Sequence, residues 1–199
     1  MLLFGHPGIT LGTATLLARA FQSNRSSKGV KEASNLLEDT PSGLVSLGNL
    51  IDIRLLLIGS LLPDIIDKPI GHLFFRNTIS NGRTFAHTLL FLFLITLAAL
   101  YVFKRYRRTG LLAVAFGTFT HLISDQMWRT PRTLFWPVYG FTFEKADITD
   151  WISFMLHALV TNPQVYIPEL VGAAILIWFL LVLIRSHKML YFLKCGRVE

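Results

Sequence analysis

The chain has 199 residues, of which 52% are apolar and 16% are charged, and its mean hydropathy is positive. This composition excludes an ordinary soluble domain and predicts a small all-α membrane protein, a polytopic bundle of transmembrane helices with residues 1–199 as one domain. The formal net charge of +7 is attributed to topology signals and lipid contacts, and no nucleic-acid binding is expected.

Five apolar segments predict membrane spans, since about 18 to 20 residues cross roughly 30 Å of hydrocarbon. In chain order they are Met1 to Phe21, Gly43 to Leu62, Phe85 to Phe103, Leu111 to Met127 and Ile167 to Ile184. The first segment has no basic residue before its apolar part, so we expect a retained helix rather than a secretory signal. Asp52 and Arg54 in the second segment indicate either a polar packing cluster or a span that begins late.

Two regions between the spans are polar or mixed. Residues 22–43 are rich in serine and contain Gly29 and Pro41, which predicts a cytoplasmic linker. Residues 128–167 hold three of the four tryptophans, which is typical of an interfacial cap, here on the extracytoplasmic side. Within this cap the apolar run from Trp151 to Val160 is too short to span and predicts a helix on the membrane or over a site.

The basic residues predict the orientation. Twelve of the nineteen lysines and arginines lie in residues 19–31, 104–108 and 185–197, six lie on the other predicted side, and Arg54 lies within a span. The positive-inside rule therefore places those three segments in the cytoplasm and the N-terminus outside.

Six ionisable residues lie in or beside the apolar segments, where burying an unpaired charge in the membrane costs several kcal/mol of free energy. They are His6, Asp64, Asp67, His87, His121 and Asp125. His121 and Asp125 are four apart and share one helical face. Asp64 and Asp67 fall within one turn after Pro63, a residue that suits a helix start or break. With the predicted topology all six lie toward the extracytoplasmic side, in a metal site sunk into the outer leaflet.

Imidazole and carboxylate ligands without a thiolate favour a catalytic divalent metal, first Zn²⁺ and otherwise Mn²⁺ or Fe²⁺. Such an ion lowers the pKa of bound water toward about 7 and polarises a carbonyl or phosphoryl oxygen. The six residues exceed one tetrahedral shell, so either two ions bind or a carboxylate, Asp67 or Asp125, acts as general base or orients a ligand. Arg83 could hold a phosphate group through its planar fork.

Each candidate also has a plainer explanation. His6 could be solvated near the terminus, and His87 could be an interfacial residue. His121 with Asp125 could form a packing hydrogen bond between helices, and Asp64 could cap a helix. The remaining histidines have no comparable partners and are expected to be interfacial. They are His72, His157 and His187.

The order of several motifs resembles the bacterial and archaeal inner-membrane metal-dependent hydrolase family, whose members are also labelled LexA-binding. The motifs are Gly5-His6, Leu62-Pro63-Asp64-Ile65-Ile66-Asp67, Arg83-Thr84-Phe85-Ala86-His87-Thr88, Thr120-His121-Leu122-Ile123-Ser124-Asp125 and Trp136-Pro137. The resemblance implies an inner-membrane helical bundle with a hydrolytic metal site related to that of zinc-dependent phospholipase C. Members commonly have His-Arg-Gly-x-Thr-His-Ser, whereas here Gly82 replaces the first histidine, Thr84 the glycine and Ala86 the threonine.

Two functions from different classes fit these observations. The favoured one is an enzyme, a metal-dependent hydrolase of a lipid or lipid-linked ester or phosphoester, because the site would open into the leaflet that holds such substrates. The alternative is a non-catalytic membrane scaffold, or a subunit of an oligomer or larger complex, that retains a structural or relic metal site. The glycine at position 82, where the resembled family has histidine, favours this alternative. A metal transporter is a weaker third hypothesis, because its ligands should lie near mid-membrane on broken helices with access from both sides.

Overall fold

The computed structural model describes residues 3–26, 42–71, 82–143 and 151–198, and these residues form helices and turns without a strand. The helices are α1 (Gly5–Ser26), α2 (Ser42–Leu50), α3 (Ile53–Pro69), α4 (Leu89–Tyr106), α5 (Gly110–Ser124), α6 (Pro131–Leu134), α7 (Trp151–Thr161), α8 (Pro163–Arg185) and α9 (Met189–Cys195). The all-α prediction is confirmed for the described residues. Most of the predicted linker, and His72, lie outside them.

Two helices, α4 and α8, are long and apolar enough to cross a membrane. The pair α2 and α3 passes the same test together, although it bends by 80° at the break. Helix α5 is apolar but has only 15 residues, and α1 is diluted by threonine, glycine and arginine. The described chain is therefore a helical membrane protein with two or three candidate spans, and the count of five stays a prediction.

The bend between α2 and α3 is built by a charged pair. The Asp52 carboxylate accepts a hydrogen bond from the Arg54 backbone N–H at 2.9 Å and pairs with its guanidinium at 2.7 Å, so α3 begins at Ile53. The C-terminal segment closes over this bend, because the Ile53 N–H donates to the Gly196 carbonyl and the Arg54 guanidinium donates to the Leu193 carbonyl. Both interpretations of Asp52 and Arg54 have support in the structure, because α3 begins only at Ile53 and the pair also contacts the C-terminal segment.

Helices α3 and α5 pack with their backbones in contact. Gly59 faces the backbone of Val114, and Gly117 faces the backbone of α3, so neither position has room for a Cβ atom. Pro63 lies inside α3 rather than at a start or break, and it leaves the Gly59 carbonyl without its helical donor. The Thr118 hydroxyl lies 3.2 Å from that carbonyl and 3.0 Å from the Val114 carbonyl of its own helix, so its one proton is shared between a contact across the interface and one within α5.

The apolar core lies between α1, α2, α3, α5 and α8, with α9 packed against it. Its largest fully buried side chains include Leu11, Leu44, Leu56 and Leu183. Helix α1 approaches α8 where Gly8 meets Gly172, a second close contact between glycines. The candidate ligands lie away from this core, with His6 at the start of α1 and with Asp64 and His121 toward the ends of α3 and α5.

Substituting Gly59 by alanine should destabilise the protein by about 1–3 kcal/mol, because the added Cβ atom must displace the α5 backbone. The measurement is the melting temperature of the full chain in detergent. An Ala98→Leu variant, on the exposed surface of α4, is the control and should melt like the wild type. A wild-type melting temperature for Gly59→Ala would contradict the close packing of α3 and α5.

Candidate metal centre

Five of the six predicted metal ligands meet at one end of the bundle. This end collects the start of α1, the end of α3, the turn before α4 and the end of α5. Two overlapping groups form there, and within each group one ligand atom per residue lies within 4.8 Å of the others. The groups are His6, Asp64, His121 and His87, His121, Asp125. The three imidazoles are wholly buried.

The hydrogen bonds of His87 and His121 define which ring nitrogens face the centre. His121 Nδ1 lies 2.6 Å from the Ser60 carbonyl oxygen, which only accepts, so Nδ1 is the donor. His87 Nδ1 lies 2.7 Å from the Asp67 carboxylate, which favours the same tautomer. In the neutral rings the Nε2 atoms then carry lone pairs, and these atoms are 3.2 Å apart. Two facing lone pairs repel, and a divalent cation or a shared proton relieves the repulsion.

Asp67 contacts the ring nitrogen of His87 that faces away from the centre. Its buried carboxylate orients the His87 ring and also accepts hydrogen bonds from the backbone N–H groups of Thr84, Ala86 and His87 at 2.7, 3.0 and 3.2 Å. A carboxylate behind a ligating histidine fixes its tautomer and orientation. Asp67 belongs to neither of the two groups, so these contacts fit the orienting role, and a ligand role stays a prediction. Thr84 and Ala86 contribute through the backbone, so these two departures from the family pattern leave the support intact.

Two cationic side chains line the more exposed side of the centre. Lys68 pairs with Asp64 at 2.7 Å, and Arg83 pairs with Asp125 at 2.8 Å. The side chains of Lys68 and Arg83 are 29% and 40% exposed, whereas that of Asp125 is only 4% exposed. Lys68 was missed by the sequence analysis, although its position four residues after Asp64 on one helix was the available signal.

His6 provides the test of whether a metal fits. Both of its ring nitrogens are buried without a hydrogen bond, although its ring stacks on His121 with the centroids 3.9 Å apart. Its Nε2 atom is 3.2 Å from Asp125 Oδ1, within ion-pair distance but without hydrogen-bond geometry. Nδ1 is thus a buried polar atom without a partner, and Nε2 has only the contact with Asp125; coordination of an ion by an imidazole nitrogen would offset the cost of this burial. The residues therefore fit a divalent ion.

Glu169 of α8 positions His6 and was also missed. Its carboxylate is nearly buried and accepts hydrogen bonds from the backbone N–H groups of Leu3, Phe4 and Gly5 at 3.1, 2.8 and 3.1 Å. These bonds cap the beginning of α1 immediately before His6. The only signal in the sequence was a carboxylate inside an otherwise apolar segment.

The helices and this site define a helical membrane protein with histidine and aspartate groups that could bind a metal ion. Comparison with protein families then identifies the group. The chain belongs to the YdjM inner membrane protein family, whose model matches residues 1–193. No curated protein and no solved structure matches the chain. The predicted inner-membrane location is thereby confirmed, while the hydrolase and LexA-binding parts of the resemblance stay predictions.

Replacing Glu169 by glutamine should weaken the binding of added Zn²⁺, used as the probe ion, about 10- to 100-fold, because the carboxylate that holds the backbone beside His6 is lost. The dissociation constant can be measured by competition with a chelating dye. Asp52→Asn is the matched control, since it removes a helix-capping carboxylate far from the centre. Equal losses of zinc affinity in the two variants would show that Glu169 acts only on the general stability of the bundle.

Proposed function

We propose that this protein is a membrane-embedded metal-dependent hydrolase that acts on a lipid or lipid-linked ester or phosphoester. The observation that carries the proposal is the convergence of three buried imidazoles with two carboxylates, without a thiolate, at one end of an inner-membrane helical bundle. This ligand set suits Zn²⁺ best, with Mn²⁺ or Fe²⁺ as alternatives. One or two ions would bind, since His121 belongs to both groups.

Each polar residue has a role in this proposal. The residues that would hold the metal are His6, Asp64, His87, His121 and Asp125. A bound divalent ion supplies Lewis acidity and lowers the pKa of water toward neutrality. Asp67 orients His87, and Asp125 serves either as a ligand or as the general base that accepts the proton of the attacking water. Arg83, exposed beside Asp125, binds an anionic oxygen of the substrate through its fork.

The position of the centre supports a lipid substrate. His87 lies two residues before α4 begins, and α4 is a candidate span. With α4 as a span, the centre would lie at the end of the hydrocarbon region, at the depth of the ester and phosphoester bonds of membrane lipids. A lipid already in the leaflet would reach it without crossing water.

The alternative function is a non-catalytic scaffold, or a subunit of an oligomer or larger complex, with a structural or relic metal site. Gly82, where the resembled family has histidine, supports it. The two functions differ in what the metal does, because a structural ion stabilises the fold without turning over substrate.

Wild-type protein purified in detergent should contain zinc by elemental analysis and hydrolyse vesicle phospholipid, and His121→Ala should lose both properties. The reason is that His121 belongs to both ligand groups. His187→Ala is the control, because His187 is exposed just after the end of α8, at the opposite end of that helix from Glu169. Metal that binds without hydrolysis would favour the scaffold, and a His121→Ala variant that retains metal would refute the site.

Removing the metal with a chelator should lower the melting temperature, because the clustered carboxylates lose the cation that offsets their repulsion. Asp125→Asn should reduce this dependence while abolishing hydrolysis. A melting temperature that is unchanged by the chelator would contradict a metal at this centre.

We also propose that α1 and α5 complete a five-span topology with the N-terminus and the centre on the extracytoplasmic side. In a Cys195→Ser background, a membrane-impermeant thiol reagent added outside should label Arg132→Cys and not Arg108→Cys, because the basic turn that contains Arg108 is expected to be cytoplasmic. The reverse labelling pattern would invert the topology.

A further inference from the structure

An apolar groove opens on the surface between α1, α2, α4 and α5. Its volume is ≈ 480 Å³, within the range of ligand-binding cavities. Within the described part of the chain, fourteen residues line it and only Thr96 of them is polar, and the Thr96 hydroxyl already donates to the Leu92 carbonyl at 2.7 Å. The groove therefore suits an occupant without hydrogen-bonding groups.

One end of the groove is nearer to the metal centre along the chain, although no candidate ligand lines it. Phe119, in its wall, is two residues before His121 and therefore faces a different side of α5, and Leu92 is five residues after His87. On α5 the wall continues from Phe119 back to Leu112, about 10 Å at about 1.5 Å per residue. This length is about two thirds of one leaflet, whose hydrocarbon is roughly 15 Å deep.

We propose that this groove holds an acyl chain of the lipid substrate while the bond to be cleaved lies at the metal centre, an inference that rests on the proposed function. The occupant follows from the surroundings: one wall is α4, a candidate span, so with α4 in the bilayer the groove, as the described residues line it, would open to hydrocarbon, where acyl chains are the molecules that reach it. The direction of the groove, from the ligands toward the interior of the bilayer, is the direction in which a lipid chain extends from its headgroup.

Such a groove would select among lipid substrates by orienting the acyl chain. A chain gains little free energy on leaving apolar lipid for an equally apolar wall, so the groove contributes shape and direction rather than burial. Holding the chain places the scissile bond against the centre, and a misplacement of about 1 Å can reduce a rate about 100-fold. A long-chain substrate should therefore depend on the groove, and a short-chain one should not.

The test uses the full chain in vesicles of phosphatidylethanolamine and phosphatidylglycerol, with a phosphatidylglycerol probe that carries a diazirine near the end of one acyl chain. Photolysis should label groove residues such as Ala14 and Phe116. Thr96→Trp fills the groove and should reduce this labelling about tenfold or more, whereas Thr96→Ala should retain it. Leu94→Trp, on the lipid-exposed side of the same helix, is the matched control and should label like the wild type.

Two results would overturn the proposal. One is labelling confined to exposed positions such as Leu94, as expected if residues 27–41 or a second copy of the chain cover the groove. The other is that the groove residues are labelled as strongly in Thr96→Trp as in the wild type, although Thr96→Trp and Leu94→Trp have the melting temperature of the wild type and are therefore folded. Photolabelling requires neither a bound metal nor hydrolysis. A protein whose groove is labelled but that does not hydrolyse lipid would therefore refute the proposed hydrolase function. A protein that hydrolyses lipid but whose groove is not labelled would refute only the inference about the groove.

Discussion

The close contact of α3 with α5 is the constraint on which the candidate centre depends. Because Gly59 and Gly117 let the two backbones touch, the His121 ring reaches the Ser60 carbonyl and stands beside Asp64, one turn further along α3. In an apolar surrounding, helices gain little from burying more hydrocarbon, so small residues and hydrogen bonds between helices decide which faces meet. A side chain at either glycine would separate the ligands that the two helices supply.

The centre is supported by partners from several elements. Asp67 holds His87, Glu169 caps the helix that carries His6, and Lys68 and Arg83 pair with the remaining carboxylates. Leaving out Glu169, which binds the backbone before His6, the three carboxylates of Asp64, Asp67 and Asp125 face the two cationic side chains, which leaves one negative charge in excess if the imidazoles are neutral. A divalent ion would more than offset that charge, which is one more reason why a bound metal fits a site so largely buried.

The two ends of the bundle have different tasks. The polar end gathers the candidate ligands at the end of the α4 span, and the other end is held together by apolar packing and by the Asp52–Arg54 bend, which the C-terminal segment closes. The apolar groove connects the two regions along α5.

The sequence by itself predicted the helices and those contacts that join residues within one helical turn. The apolar segments predicted the helices, and the spacings of His121 with Asp125 and of Asp64 with Asp67 predicted neighbours, because 3.6 residues per turn place such pairs on one face. Only the tertiary structure decided that Asp67 points to the 84–87 backbone, that α3 continues through Pro63, and that Glu169 caps α1. Those contacts join residues from different helices, and they depend on how closely the helices approach, which side-chain volumes at positions such as Gly59 and Gly117 determine.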